Sequence, residues 1–268
     1  MTIIAGFRCK NGVVLAADTE ITNLGGTGKT YESKIFTINA QLGCSVAYTG
    51  DSDFAKELVD ELRVATKNKT SEEALTAAKL IYREFWHEHY TKPPQDEKSH
   101  AFILLTLREG KKVTLYVGRT LNFPKIPEYA VLGVGQDLAE ALFKPLYKSS
   151  ATTTEAVYMA IYALWRVKGF AQWCGGDTEA VEVEDQDQPD TLDSPPLQDN
   201  REIEQDFDFF DEQIRPLLLA YPNLYIKPKT FRALLRRFEK NINQYRAKRF
   251  RENERDFKEW IKGVDKNR

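Results

Sequence analysis

The chain lacks the features that would place it in a membrane, outside the cell or around a metal. No apolar run in its 268 residues reaches the ~20 that a transmembrane helix needs, so no membrane partner is expected. No basic-then-apolar segment opens the sequence, and the expected location is the cytoplasm. Cysteines are few: Cys9, Cys44 and Cys174 lack metal-ligand spacing. Cys9 and Cys44 fall in strand patterns and read as small buried thiols of a reducing compartment. A net charge of −2 gives no global pull toward nucleic acid or membrane. Lysine and arginine are missing from 169 to 200, where Pro189, Pro195 and Pro196 sit among acids, and this stretch reads as a solvated, mobile linker. What is abundant is core material: 42% hydrophobic residues suit one large domain with an appendage. The expected divisions are 1–185, an acidic linker at 186–200 and a helical extension at 201–268.

Thr2 stands directly behind Met1 and opens a strand, Thr2-Ile3-Ile4-Ala5-Gly6-Phe7. A small second residue normally permits removal of Met1, and Thr2 would then carry a hydroxyl and an α-amine on one carbon skeleton. Nucleophile and general base come together in such a residue. An α-amine has a pKa near ~7.7–8.0, so a useful fraction is unprotonated at neutral pH. The next strand, Gly12 to Ala17, ends in Asp18, and Asn11-Gly12 before it is a strong hairpin signal. A third apolar strand is expected from Ser33 to Ile38, with Lys34 at its start. Taken singly, Asp18 reads as a residue closing a strand and Lys34 as a surface lysine.

Taken together, Thr2, the run Gly12 to Asp18, Thr22, Lys34 and Gly50 within Ala47-Tyr-Thr-Gly50-Asp-Ser-Asp53 resemble the proteasome β-subunit family of N-terminal-nucleophile (Ntn) hydrolases. The resemblance spans roughly 2–185 and includes Cys174-Gly175-Gly176 near its end. It implies an α+β fold, a four-layer αββα sandwich, with the C-terminal helical segment appended. It also implies a threonine-type peptidase in which Thr2 attacks the carbonyl of a peptide bond while Lys34 and Asp18 tune it. A lysine ammonium beside the hydroxyl favours the alkoxide, and one unit charge at 4 Å is worth about 4 kcal/mol at an effective dielectric near 20. By the same resemblance Gly50 offers a backbone N–H to the oxyanion, and Thr22 pairs with substrate backbone as an added strand. Thr49 joins Thr22 as a candidate substrate contact, and Cys174 is a candidate support for the amine. No cofactor and no metal is implied. The implied partners are a peptide or protein substrate, further copies in a ring, and a regulatory protein.

Two positions depart from the family pattern. Val134, in Gly133-Val134-Gly135, stands where the family has a serine, and Ala171 where it has an aspartate. A third, Cys174, replaces a further serine. These departures keep open an alternative, a non-catalytic subunit of the same fold serving assembly or regulation.

The rest of the chain supplies cover for the strands and two decoys. A helix carries Phe54, Leu58, Val59 and Leu62 on one face, and capping boxes Thr70–Glu73 and Thr152–Glu155 open two more. Strands at 101–107 and 112–117 flank a turn at Glu109-Gly110, a short helix runs from Asp137 to Leu146, and Thr178–Val183 alternates as a strand. Gly25-Gly26-Thr27-Gly28-Lys29-Thr30 imitates a phosphate-binding loop, but the pattern continues as strand where such a loop must open a helix. It reads instead as a flexible loop near the substrate cleft. His87 and His89 lie two apart, point in different directions on a helix, and read as its exposed end. Near the C-terminus, an acidic helix is expected from Ile203 to Leu219. A long one from Thr230 follows, with Arg232, Arg236, Arg237, Arg246, Lys248, Arg249 and Arg251. With acids just upstream to answer them, this stripe reads as a docking or assembly surface rather than a nucleic-acid site.

Overall fold

The computed structural model describes residues 2–22, 28–94, 99–119, 122–186, 200–220 and 228–266. Of these, 215–220, 228–231, 250, 253–254 and 256–266 are described by backbone alone. The chain divides into two compact units, Met1–Thr191 and Leu192–Arg268.

The first unit begins with β1 (Ile3–Arg8), β2 (Gly12–Asp18), β3 (Glu20–Thr22), β4 (Lys29–Tyr31), β5 (Ile35–Asn39) and β6 (Cys44–Gly50). Helices α1 (Ser52–Ala65) and α2 (Ser71–Trp86) follow, then β7 (Ala101–Glu109), β8 (Lys112–Gly118), β9 (Lys125–Ile126) and β10 (Tyr129–Gly133). Helices α3 (Gln136–Leu146) and α4 (Thr153–Lys168) and strand β11 (Thr178–Glu184) complete it. One sheet has the order β10-β1-β2-β11 and the other β5-β6-β7-β8-β9, with β3-β4 as a separate two-stranded ribbon. All pairings are antiparallel.

The two sheets pack face to face, and each carries a helix pair on its outer side: α1 and α2 on the five-stranded sheet, α3 and α4 on the other. This is an α+β sandwich in four layers. Strand periodicity explains it. In β6, Val46 and Tyr48 point into the core shared with Phe54, Leu58 and Tyr82 of the helices, whereas Ala47 points into the core between the sheets with Leu15 and Leu104. Strands covered on both faces must be apolar on both, and all seven residues of β2 are buried. Both capping boxes form as the sequence requires.

Local differences have physical reasons. The third apolar strand does not run unbroken from Ser33: 29–31 pairs with β3, and a new strand starts at Ile35. The break leaves Lys34 free to turn inward. Gly28-Lys29-Thr30 thus leads into a strand, not a helix; residues 23–27 of that loop lie outside the described residues, as do 187–199 of the acidic linker. After α2 the chain adds one wider turn, His87–Thr91. His87 is exposed there, but His89 is half-buried, its ring stacked on Phe85 at 5.4 Å and edge-on to Phe54 at 5.2 Å.

The second unit is a helical hairpin of α5 (Asn200–Ala220) and α6 (Pro228–Lys266). The second helix starts two residues before Thr230 because proline's fixed φ suits a first helical turn. Asn241 meets Gln213, Tyr245 meets Asp206 and Phe209, and Arg249 meets Asp206 and Glu202. Partners on α6 climb by one turn as those on α5 descend, so the helices run antiparallel. Among the described residues no helix is long and apolar enough to cross a membrane.

Candidate active site

Strand β2 ends on Asp18, whose side chain is fully buried, and the carboxylate ties three segments together. Oδ1 accepts from Lys34 Nζ at 2.9 Å and from the Ile3 backbone at 3.0 Å, and Oδ2 accepts from the Gly175 backbone at 3.0 Å. Lys34 is only 1% exposed. A lysine ammonium has three protons to place, and Lys34 places them on Asp18, on the Glu20 carbonyl at 2.5 Å and on Thr2 Oγ1. Burial pushes the Lys34 pKa down, and the Asp18 carboxylate works against that shift.

Thr2 is held from behind. Its carbonyl oxygen accepts from the Val134 backbone at 2.9 Å and from Thr49 Oγ1 at 2.9 Å. Its own hydroxyl lies 3.5 Å from the Glu20 carbonyl. Gly133 makes this approach possible: a Cβ there would sit 1.9 Å from the Thr2 oxygen, and its φ of +108° is a region that suits glycine. The structure therefore brings Thr2, Asp18 and Lys34 into one buried cluster, with Thr49 beside them. Thr49, the candidate substrate contact, has a buried hydroxyl that donates to the Thr2 carbonyl. Gly50 ends β6 exposed, with φ of +121° and no room for a side chain against the His100 carbonyl. Thr22 lies in β3, partly exposed, its hydroxyl 3.5 Å from Glu20 Oε1.

Cys174 is buried, and its thiol lies 3.3 Å from the Val134 carbonyl, which accepts from it. Burial, reinforced by Asp18 and Glu20 and opposed by Lys34, pushes its pKa up to about 12, so it is a neutral thiol at physiological pH. Val134 takes part through its backbone only, donating to Thr2 and accepting from Cys174. The Ala171 amide bonds the Val167 carbonyl at the end of α4. Among the described residues no group of three or more His, Cys, Asp or Glu is placed to hold a metal ion.

Two residues of this cluster escape a reading of the sequence. Glu20 is 3% exposed, and its carboxylate takes Lys29 Nζ at 2.9 Å and crowds Gly175, where a Cβ would meet Oε2 at 2.2 Å. Its spacing of two from Asp18 was the available signal, hidden because β2 ends between them. Gly133, noted in the sequence only as the neighbour of Val134, is the surface against which Thr2 rests.

An alcohol, a buried ammonium and a carboxylate in hydrogen-bonding sequence form an arrangement that can stabilise an alkoxide. A family model described as "Proteasome subunit" matches residues 2–171, which holds every residue of this cluster except Cys174 and Gly175. The chain belongs to the proteasome subunit family. A curated relative named "Proteasome subunit alpha", from Pyrococcus abyssi (strain GE5 / Orsay), is 27% identical over 165 residues, 59% of this chain and 61% of the relative. The chain thus spans about three-fifths of that relative's length. A solved structure described as an Anbu (Gly-1) mutant from Hyphomicrobium sp. strain MC1 superposes with a TM-score of 0.62 at 14% identity, covering 81% of this chain and 97% of that one. At that identity the likeness speaks for the fold, which is that of an Ntn-type sandwich in this proteasome-family chain.

Proposed function

We propose that this chain is an N-terminal threonine hydrolase that cleaves peptide bonds, with Thr2 exposed by removal of Met1. The observation that carries the reading is Lys34: a lysine only 1% exposed, with its three protons on Asp18, the Glu20 carbonyl and the Thr2 hydroxyl. Burying an ion pair rarely stabilises a fold relative to apolar residues of the same volume, so its presence favours a chemical role. In the proposed reaction the Thr2 Oγ proton passes to the α-amine as Oγ bonds to the substrate carbonyl carbon. The Gly50 amide receives the oxyanion. The C–N bond breaks, the amine product leaves with that proton, and an ester links Thr2 to the acyl half. Water then adds, the ester C–O bond breaks, and the carboxylic acid and free Thr2 hydroxyl are restored. Asp18 and Lys34 hold the charge through both steps, Thr22 aligns the substrate backbone, and Thr49 fixes the Thr2 carbonyl. The protein works in the cytoplasm as copies closed in a ring.

A second reading, a non-catalytic subunit of the same fold, is favoured by Val134 and Ala171, which offer no side-chain hydrogen bond to the Thr2 amine. Intact mass and turnover of a fluorogenic peptide panel separate the two. The hydrolase reading expects a mass lacking Met1 and turnover that falls at least a thousandfold in Thr2→Ala. Retained Met1, or no turnover above that of Thr2→Ala and of a protein-free blank, would favour the second.

A further inference from the structure

The helical hairpin carries a surface that the hydrolase reading does not use. From Lys229 to Arg251 the chain has nine basic residues and one acid, Glu239. Of these nine, Arg249 turns inward to Asp206 and Glu202 of α5. Arg236, Arg237, Lys240, Lys248 and Arg251 are all exposed. At 3.6 residues per turn they fall within an arc of roughly 120°, centred about 120° around α6 from Asn241, Tyr245 and Arg249, which meet α5. Arg232 extends the stripe, which then runs about 28 Å along the axis at about 1.5 Å per residue.

The sequence suggested that the acids of the extension would answer this stripe. The structure turns the nearest of them, Glu202 and Asp206, toward Arg249, with Tyr245 sharing Asp206, and within the stripe Lys248 pairs with Glu252 of its own helix at 3.6 Å. Three kinds of anionic partner remain, and the composition of the arc decides among them. The gaps within the roughly 120° are filled by Ala233, Gln244 and Ala247, with no aromatic or large aliphatic residue, while Phe250 falls on the edge, in line with Arg232. A protein partner would want an apolar, charge-depleted centre to the interface. A membrane surface would want an apolar face to insert, and the apolar side of α6 meets α5. A line of arginine-rich charge without an apolar centre matches an evenly charged phosphate backbone, which guanidinium forks grip bidentately. We propose that the outer face of α6 binds the phosphate backbone of nucleic acid without reading its sequence.

The test uses the full chain and the fluorescence anisotropy of two labelled probes, a 20-nucleotide single-stranded RNA and a 20-base-pair DNA duplex. At 50 mM salt at least one should bind with a micromolar dissociation constant, and log K should fall with log salt by about 0.7–0.9 per phosphate engaged. The arm that binds more tightly says which strand form fits. Arg236→Glu/Lys240→Glu/Arg251→Glu should weaken binding at least tenfold, while Lys10→Glu/Lys67→Glu/Lys69→Glu, of equal net charge and exposed on the first unit, should not. If reversal unfolds the hairpin by circular dichroism, Arg236→Gln/Lys240→Gln/Arg251→Gln serves instead, with the same expected direction. Absence of binding to both probes would overturn the proposal, as would equal loss in the two charge-matched variants. So would polyglutamate competing as well as RNA at equal charge, which would indicate an acidic protein partner.

Discussion

Lys34 in the first unit and Arg249 in the second are both cations held by an aspartate, at 2.9 Å and 2.6 Å. Lys34 has 1% of its side chain exposed; Arg249 keeps 17% and is ringed by Asp206, Glu202 and the face of Tyr245. Burial drags the lysine pKa down. Around Arg249 the same desolvation is outweighed by Asp206 and Tyr245, and its pKa rises. The geometry is similar and the setting opposite. A half-open clasp between two helices contributes modestly to folding, whereas a buried pair costs desolvation that its attraction barely offsets. The sandwich thus keeps charge where reaction would use it, and the hairpin displays charge where a partner would meet it.

Substitutions can break this contrast. Asp18→Asn leaves the Lys34 ammonium without its countercharge and should cost about 3–5 kcal/mol in urea unfolding; a cost under 1 kcal/mol would mean that Lys34 relaxes to water. Gly133→Ala pushes a methyl into the Thr2 carbonyl at a left-handed backbone position and should cost on the order of 3 kcal/mol, with loss of any activity. Native-like stability and turnover in that variant would refute the packing described for Thr2. Arg249→Met should cost roughly 1 kcal/mol, seen in hairpin helicity by circular dichroism, and leave peptide turnover unchanged.

Stability should also decline in alkali. Burial raises the Cys9, Cys44 and Cys174 thiols from 9.0 to about 12, and raises Tyr48, Tyr82 and Tyr116 above 10.0. For these groups the unfolded chain loses its protons first, so the stability present below pH 9 is lost as pH climbs through the raised values. Lys34, shifted down, pulls the other way below 10.5, but it is one group against six. A melting temperature constant from pH 8 to 11 would contradict the burial of these side chains.

Much of the sandwich was legible because its signals are local. Capping boxes, Asn11-Gly12 and alternating apolar strands each name their element within a few residues. The joint placement of Thr2, Asp18 and Lys34 was legible only through the family resemblance, since Lys34 precedes β5, a strand of the opposite sheet from β1 and β2. The commitments of Glu20, Thr49 and Gly133 were not, because each depends on strands that meet only in space: Thr49 and Gly133 reach Thr2 from opposite sheets. Which of nine basic residues α6 turns inward was equally hidden, since the choice of Arg249 is fixed by the position of Asp206 some forty residues earlier.

The measurement that bears most directly on the site is labelling by a peptide epoxyketone, an electrophile that requires a hydroxyl and a free amine on one residue, followed by peptide mapping. The account predicts a single adduct on Thr2, absent from Thr2→Ala and strongly slowed in Lys34→Met. An adduct elsewhere, or none on a protein already lacking Met1, would contradict it.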